Sequence, residues 1–172
     1  SLILENNLKG FEIDARAAQL AGFALMMKAR EYNRRAFCKS LKPDITCFSD
    51  FGLDKEETGR LLRLAGITPT ADLLSALALM RNATNLGSLI NPRTLTVTLE
   101  ECYRKAISAY QAAGIFEKEA YQQITVAFGQ LIKLSQKVTC VVDNPPYMGS
   151  GNMNKELSDF VKDRYPDSKA DL

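Results

Sequence analysis

The sequence has no histidine among its 172 residues. Without histidine, Ser-His-Asp and Cys-His catalysis, histidine-ligated deaminases and HExxH proteases are all excluded. It also has no CxxC pair, and its four cysteines lie far apart, at Cys38, Cys47, Cys102 and Cys140. A zinc set is therefore missing, and we expect four buried thiols. Any chemistry must use carboxylates, amides, aromatic rings and main-chain groups.

Long apolar runs and a strong charge of either sign are also missing. No apolar run approaches the roughly 18 to 20 residues of a membrane helix, and the N-terminus shows no basic and apolar leader with a cleavage site. These absences predict a cytoplasmic protein. The formal net charge is only +2, whereas a DNA-binding domain usually has a more basic face. If DNA is the partner, most of the charge that binds phosphate lies elsewhere.

Length and composition predict a globular chain. Domains commonly have about 100 to 150 residues, so one domain accounts for most of the length. Hydrophobic residues make up 46% and charged residues 24% of the chain, which is typical of soluble globular proteins. One basic cluster has two interpretations, a phosphate contact or a solvated helix end. Its members are Arg30, Arg34, Arg35, Lys39 and Lys42.

Hydrophobic spacing and helix caps predict the order strand, helix, strand, helical block, strand, loop and helix. The predicted strands are residues 8–13, 45–49 and 138–142. The predicted helices are, to within a few residues, 14–30, 54–66, 68–87, 98–114, 117–136 and 154–164. The predicted buried face of the first helix consists of Ala17, Leu20, Ala21, Ala24 and Met27. Strands that alternate with helices favour an α/β fold with a mostly parallel sheet.

The third predicted strand leads into the stretch CVVDNPPYMGSG, residues 140–151. Pro145 and Pro146 have no N–H and a fixed φ, so they end the strand and stiffen the turn. Asn144 offers an amide oxygen and Pro145 a carbonyl oxygen, which together can accept both hydrogens of an NH2 group. Tyr147 adds an aromatic face that suits a planar base. The alternative is a surface turn with a packed tyrosine, but the position directly after an apolar strand favours binding.

This arrangement suits a difficult nucleophile. The exocyclic amino group of adenine attacks poorly because its lone pair is delocalised into the ring. Two hydrogen bonds accepted from it favour a tetrahedral nitrogen and free the lone pair to attack a methyl sulfonium, without a metal or a strong base. Alignment with the methyl donor can lower the barrier by about 7 to 11 kcal/mol. The nitrogen is out of reach inside a duplex, so the base must be flipped out.

The residues NPPY, Asn144 to Tyr147, resemble catalytic motif IV of amino-group DNA methyltransferases that use S-adenosylmethionine. The stretches LILENNLKGFEIDARAAQLAGFALMMKARE and VDNPPYMGSGNMN are similar to large adenine-specific methyltransferases of BREX phage-defence systems and of Eco57I-type restriction-modification enzymes. The resemblance implies part of a Rossmann-like methyltransferase domain that acts on a flipped adenine in double-stranded DNA. In this motif Asn144 and Pro145 hold the amino group, Pro146 completes the rigid turn and Tyr147 stacks on the base.

The same resemblance implies a site for S-adenosylmethionine. The stretch GFEID resembles motif II, in which Glu12 accepts hydrogen bonds from the ribose hydroxyls and Ile13 packs on the adenine. Asp50 and Phe51 resemble motif III, in which an acidic residue meets the adenine amino group and an aromatic ring stacks nearby. From the residues alone, Glu12 is also an ordinary strand end before a helix cap, and Asp50 also suits a turn.

With these motifs the chain divides into three parts. Residues 1–53 form a partial cofactor-binding region, residues 54–136 a helical insertion, and residues 137–172 the catalytic strand, loop and following helix. Three roles stay open for the insertion: a spacer, a DNA-facing platform or a docking surface.

One family motif is absent. Motif I, a glycine-rich turn after the first strand, has no counterpart, because the only GxG is Gly149-Ser150-Gly151, after motif IV. We therefore expect an internal fragment of a larger enzyme, inactive alone, in which two strands lack their shared neighbour. Such a fragment is expected to self-associate or to rearrange its sheet, with helices dominating the ordered structure.

Two other functions stay open. The chain could be a non-catalytic helical interaction module of a defence complex, with its motifs reduced to scaffolding. The same loop could also methylate a protein or RNA amide, since glutamine methyltransferases share the tetrapeptide.

Overall fold

The structure is a computed structural model that describes residues 2–38, 41–92, 95–143 and 153–166. Its contacts divide the chain into two compact units, Ser1–Ser135 and Gln136–Leu172.

The first unit contains a parallel pair of strands, β1 (Lys9–Glu12) and β2 (Asp44–Cys47). Lys9 lies opposite Asp44 and Glu12 lies opposite Cys47. Because the strands are parallel, both carboxyl ends lie at the same edge of the sheet. The first two predicted strands and their parallel direction are therefore confirmed.

Eight α-helices make up most of the described chain. They are α1 (Leu2–Asn6), α2 (Ala15–Tyr32), α3 (Lys55–Leu64), α4 (Ala71–Leu79), α5 (Ala83–Leu86), α6 (Leu99–Ala112), α7 (Ile115–Ser135) and α8 (Lys155–Arg164). Single turns of 3₁₀-helix occur at Ala36–Cys38, Met80–Asn82 and Gly87–Leu89. Each predicted helix has a counterpart, but the helix predicted at residues 68–87 is divided into α4, a 3₁₀ turn, α5 and a second 3₁₀ turn. The short helix α1 has no counterpart among the predictions.

Side-chain caps explain where three of the helices begin. Asp14 accepts hydrogen bonds from the main-chain N–H groups of Arg16 (2.7 Å) and Ala17 (2.9 Å) at the start of α2. Asp54 caps α3 through an N–H at 2.8 Å, and Asn154 caps α8 through an N–H at 2.9 Å. Each cap satisfies an N–H group that has no partner inside the helix. Thr98 precedes α6 as predicted, but its side chain makes no capping hydrogen bond.

Two layers of helix cover the sheet. On one face a Cβ at Gly10 would lie 3.2 Å from the side chain of Ile45, and a Cβ at Gly22 of α2 would lie 3.7 Å from it. The two glycines therefore let α2 approach the strands closely. On the other face, Asp44 of β2 meets Lys133 of α7 at 2.6 Å.

The predicted buried face of α2 is wrong. Leu20 is 68% exposed and Met27 is 44% exposed, and Ala21 and Ala24 are also exposed. The partly covered side lies around Gly22, Leu25, Met26 and Ala29. Helix α2 has apolar residues on all of its sides. The hydrophobic periodicity alone therefore could not identify the side on which Gly22 permits close packing.

The predicted third strand is also wrong. Residues 136–143 belong to no helix or strand, and their side chains are exposed. A strand is stable only when a neighbour takes its N–H and C=O groups. In the described part of the chain, the two strands pair only with each other, so the apolar composition of residues 138–142 is not enough to form a strand.

The expectation of four buried thiols holds only for Cys102. Cys47 is partly covered, and Cys38 and Cys140 are exposed. Cys140 lies in the exposed segment that was predicted to be a buried strand. Cys38 ends the 3₁₀ turn after α2.

The main core lies in the helical part of the first unit. Its fully buried large side chains come from α3, α4, the 3₁₀ turns and α7, and include Leu61, Leu62, Leu73, Leu77, Met80, Ile90, Ile124, Phe128 and Leu131. Gly66 ends the α3 segment with φ of +70°, a conformation that residues with a Cβ rarely adopt. Helices α6 and α7 are joined by Ala113 and Gly114 and form a helical hairpin.

The second unit contains α8. The rings of Phe160 and Tyr165 lie 6.4 Å apart between centroids, at the carboxyl end of this helix. Among the helices of the described ranges, none combines the length and the apolar character needed to cross a membrane.

A three-residue ion cluster joins both strands to α7. Asp44 accepts hydrogen bonds from Lys9 of β1 (2.6 Å) and from Lys133 of α7 (2.6 and 2.7 Å). About a quarter of each side chain is exposed. Burial by itself would raise the pKa of Asp44, but the hydrogen bonds and charges of Lys133 and Lys9 outweigh it and hold this pKa below its ordinary value.

We predict that Asp44→Asn lowers the free energy of unfolding by about 1–2 kcal/mol at pH 7, because two partly buried ammonium groups lose their partner. A carboxyl whose pKa is lower in the folded state stabilises above its unfolded pKa, and this contribution disappears as the pH falls through the folded pKa. The difference from the parent should therefore shrink below about pH 4. Urea unfolding at several pH values measures it.

The control is Glu31→Gln, which removes a pair with Lys28 in which both side chains are about three-fifths exposed. This change should have almost no effect. An Asp44→Asn variant as stable as the parent at pH 7 would contradict the stabilising role of the cluster.

Candidate functional site

The carboxyl end of β1 presents an oriented carboxylate. Oε1 of Glu12 accepts hydrogen bonds from the N–H groups of Ile13 (2.8 Å) and Asp14 (3.1 Å). Within the described ranges, Oε2 accepts no hydrogen bond. The side chain is partly covered, and the two N–H groups hold it in a fixed orientation. It can therefore accept hydrogen bonds from a ligand at little cost in side-chain order.

Ile13 follows Glu12 and is 55% exposed. An exposed isoleucine directly beside an oriented carboxylate offers an apolar surface next to a polar one. A nucleoside requires this combination, because its base is largely apolar on its faces and its sugar carries hydroxyl groups.

A main-chain hydrogen bond links the segment after β2 to the end of β1. The N–H of Phe48 donates to the carbonyl oxygen of Glu12 at 2.8 Å. The ring of Phe48 is buried, and the ring of Phe11 meets it edge to face at 5.5 Å between centroids. The two strand ends are thus held side by side, with Glu12 on one and Asp50 on the other.

Asp50 already has a protein partner. Its Oδ1 accepts hydrogen bonds from the N–H and the hydroxyl of Thr84 at 2.9 Å each, and Oδ2 also lies 2.9 Å from this hydroxyl. Thr84 lies in the first turn of α5. Asp50 therefore acts as a distant cap for α5, and as an exposed carboxylate it keeps lone pairs for a ligand.

Phe51 is a core residue. Its side chain is only 4% exposed, and its N–H donates to the carbonyl oxygen of Met80 at 2.9 Å. The predicted stacking of this ring on a cofactor stays a prediction. What the structure adds is that the ring borders a cavity.

That cavity has a volume of about 240 Å³ and lies between the segment after β2 and helix α7. Its walls are Ser49, Asp50, Phe51, Glu119, Gln122, Gln123, Val126 and Ala127. The polar side chains on the α7 side were not predicted as site residues. Their sequence resembles any solvated helix face, and only the packing of α7 brings them to Asp50.

The predicted catalytic residues Asn144, Pro145, Pro146 and Tyr147 lie outside the described residues. Asp143, which precedes them, is exposed. The structure therefore brings together Glu12, Ile13, Asp50 and Phe51 at one end of the sheet. The predicted roles of all eight residues stay predictions.

The basic cluster lies at the end of α2 and in the segment after it, and both interpretations of it stay open. The guanidinium of Arg30 lies 5.6 Å from the ring centroid of Phe37, while Arg34, Arg35 and Lys42 are exposed. Lys39 lies outside the described residues. In the described part of the chain, no three side chains of the cysteine, aspartate or glutamate type lie close enough together to hold a metal ion.

Comparisons with known proteins add a family. Residues 6–172 match the family described as Eco57I restriction-modification methylase. The chain is 36% identical over 197 aligned residues to the adenine-specific methyltransferase BrxX of Escherichia coli O9:H4 (strain HS). It is 35% identical over 175 aligned residues to the adenine-specific methyltransferase PglX of Lacticaseibacillus casei (strain Zhang). Each match covers 99% of this chain, but only 16% of the first relative and 14% of the second.

We predict that Asp50→Ala lowers the free energy of unfolding by about 1 kcal/mol, the usual effect of losing a helix cap. Thr84→Ala should have a smaller effect, because residue 84 keeps its main-chain N–H bond to Asp50. Urea unfolding of the two variants measures the difference. Equal stability of Asp50→Ala and the parent chain would contradict the capping role.

Proposed function

This chain belongs to the Eco57I restriction-modification methylase family, and from that premise we propose that its protein methylates DNA in restriction-modification or phage defence. The reaction is transfer of a methyl group from S-adenosylmethionine to the exocyclic amino group of adenine. The substrate is double-stranded DNA in which the target adenine is flipped out of the helix. The proposed location is the bacterial cytoplasm.

The observation that carries the proposal is the oriented carboxylate of Glu12 at the end of a parallel strand, in a chain that matches the family along almost its whole length. Both relatives are named as adenine-specific methyltransferases. A parallel pair with ligand-binding residues at its carboxyl edge is compatible with a Rossmann-like methyltransferase domain, which we propose as the fold. The division at residues 53 and 136 into cofactor, insertion and catalytic parts stays a proposal.

The residues at this edge fit S-adenosylmethionine. Glu12 has an oriented carboxylate with Oε2 available for ribose hydroxyls, and Ile13 presents an exposed apolar surface for the adenine ring. Asp50 would accept from the adenine amino group, and Phe51 would support that side of the cavity. The cofactor supplies an electrophilic methyl group bound to a sulfonium.

On the target side we assign the roles from the sequence. Asn144 and Pro145 would accept the two hydrogens of the adenine amino group, so that its lone pair becomes available. Pro146 would keep this turn rigid, and Tyr147 would stack on the flipped base. No protein metal ion is needed in this scheme. We also propose that the 172-residue chain is inactive alone and self-associates through its strand edges.

A second candidate is a non-catalytic helical interaction module of a defence complex. The observation that favours it is the tip of the α6–α7 hairpin, where Ile115 is 91% exposed and Phe116 is fully exposed. Large apolar side chains at such a tip are typical of contact surfaces. In this alternative Glu12 would have no ligand, and the protein would bind no cofactor.

We predict that Asn144→Ala and Tyr147→Ala in the full-length protein each lower the rate of adenine methylation by at least about 100-fold, because positioning and polarisation supply most of the catalysis. Both variants should still bind S-adenosylhomocysteine, whereas Glu12→Ala should not. Transfer of tritiated methyl groups to DNA measures the rate, and isothermal titration calorimetry measures the binding.

Full methylation by the Asn144→Ala, Tyr147→Ala double variant would contradict the assigned mechanism. A parent protein that gives no heat with the cofactor, and no dependence on Glu12, would instead support the interaction module.

A further inference from the structure

We propose that Gln123 and Gln130 of α7 are positioning residues that hold the main chain around Asp50 in the conformation that binds the cofactor. The inference rests on the proposed function, since it concerns the same cofactor site. It also gives part of the helical insertion a role that the sequence left open.

Gln130 binds the main chain directly after β2. With its amide oriented so that both of its polar atoms have partners, Nε2 donates to the carbonyl oxygen of Ser49 at 3.2 Å. Its Oε1 accepts from the N–H of Ser49 at 2.9 Å and from the Ser49 hydroxyl at 3.1 Å. Gln130 thus binds both main-chain groups of one residue, as a neighbouring strand would.

Gln130 is 3% exposed and does not line the cavity beside Asp50. It therefore cannot contact a ligand in that cavity, and any effect on a ligand must pass through residue 49. This separates a positioning role from a direct binding role.

Gln123 binds the other end of the same segment. Its Oε1 accepts a hydrogen bond from the N–H of Gly52 at 3.0 Å. A Cβ at position 52 would lie 3.0 Å from this oxygen, which is closer than side chains normally approach. Glycine at position 52 therefore leaves room for this hydrogen bond, and a larger residue would force the Gln123 amide to shift.

The two glutamines act together because of their spacing. Positions 123 and 130 are seven residues apart, which places them on one face of α7, two turns from each other. They bind residues 49 and 52, and these flank Asp50 and Phe51. The carboxylate of Asp50 is therefore held between two fixed points, while Thr84 fixes its side chain.

Stability alone does not require these amides. A buried amide is costly unless its hydrogen bonds are made, and replacing such a group by an apolar residue of similar shape is often nearly neutral overall. The hydrogen bonds of the two amides are directional, and they fix the position of residues 49 and 52. We therefore expect the amides to affect ligand affinity more than the free energy of unfolding.

The test uses the full-length protein with S-adenosylhomocysteine as the probe. Isothermal titration calorimetry gives its Kd for the parent, Gln130→Met and Gln123→Met. Methionine keeps the length of the side chain and removes the hydrogen bonds. Two controls belong to the same hairpin: Gln111→Met changes an exposed glutamine, and Ile124→Val removes one methyl group from the buried side of α7.

We expect Gln130→Met to raise the Kd at least about tenfold, comparable to the loss of one buried hydrogen bond. Gln123→Met should raise it as well, and both controls should leave it within about twofold. Hydrogen exchange supplies a second readout. The Ser49 amide should lose protection in Gln130→Met, and the Gly52 amide should lose it in Gln123→Met.

An unchanged Kd in a folded Gln130→Met protein would overturn the proposal. The proposal would also be overturned if Ile124→Val lowered the melting temperature by as much as Gln130→Met does and raised the Kd by as much. Should Gln130→Met fail to fold, Gln123→Met decides by exchange at the Gly52 amide, because Gln123 lines the cavity and its effect on the Kd alone would not separate positioning from direct contact. Unchanged protection of that amide would then overturn the proposal. If the parent binds no cofactor, the proposed function fails, and unchanged exchange at Ser49 and Gly52 would then refute the positioning role separately.

Discussion

The carboxylate of Asp44 is the interaction on which the arrangement of the first unit depends. It joins the amino ends of both strands to Lys133, near the carboxyl end of α7. With α7 held there, the rest of this helix passes along the sheet toward the carboxyl ends of the strands. Gln130, Gln123 and the polar wall of the cavity follow in that order. The ion cluster at one end of the sheet therefore helps to position the helix that lines the cavity at the other end.

Features that depend on neighbouring residues in the chain, such as helix starts, could be predicted from the sequence. Features that depend on packing against a distant segment were harder to predict, and two such predictions were wrong. The starts of α2 and α3 were predicted at residues 14 and 54 because a helix cap depends only on the next few residues. The strand at residues 138–142 was predicted from composition, but a strand also requires a neighbour, and no pattern within five residues reports one. The buried side of α2 failed similarly, because Gly22 and Ile45 decide it across a long sequence separation.

The candidate site shows the same division. Glu12 and Asp50 were predicted as site residues because acidic residues at strand ends can be recognised locally, and their roles toward a cofactor stay predictions. Gln122, Gln123 and Gln130 were missed because nothing distinguishes them from solvated helix residues until α7 is packed. Asp50 caps α5 and also lines the cavity. In the described residues Glu12 accepts hydrogen bonds only from the N–H groups of the two residues that follow it, so its contribution to a ligand can be measured with less effect on distant packing.

The contact between Gly52 and Gln123 has a consequence for how this sequence can diverge. A Cβ at position 52 would lie 3.0 Å from Oε1 of Gln123, so a larger residue there requires the side chain at 123 to shift and weakens the hydrogen bond. The two positions are therefore expected to change as a pair. Covariation of this kind would arise between a loop and a helix that are distant in the chain, and it would trace the wall of the pocket in related genes.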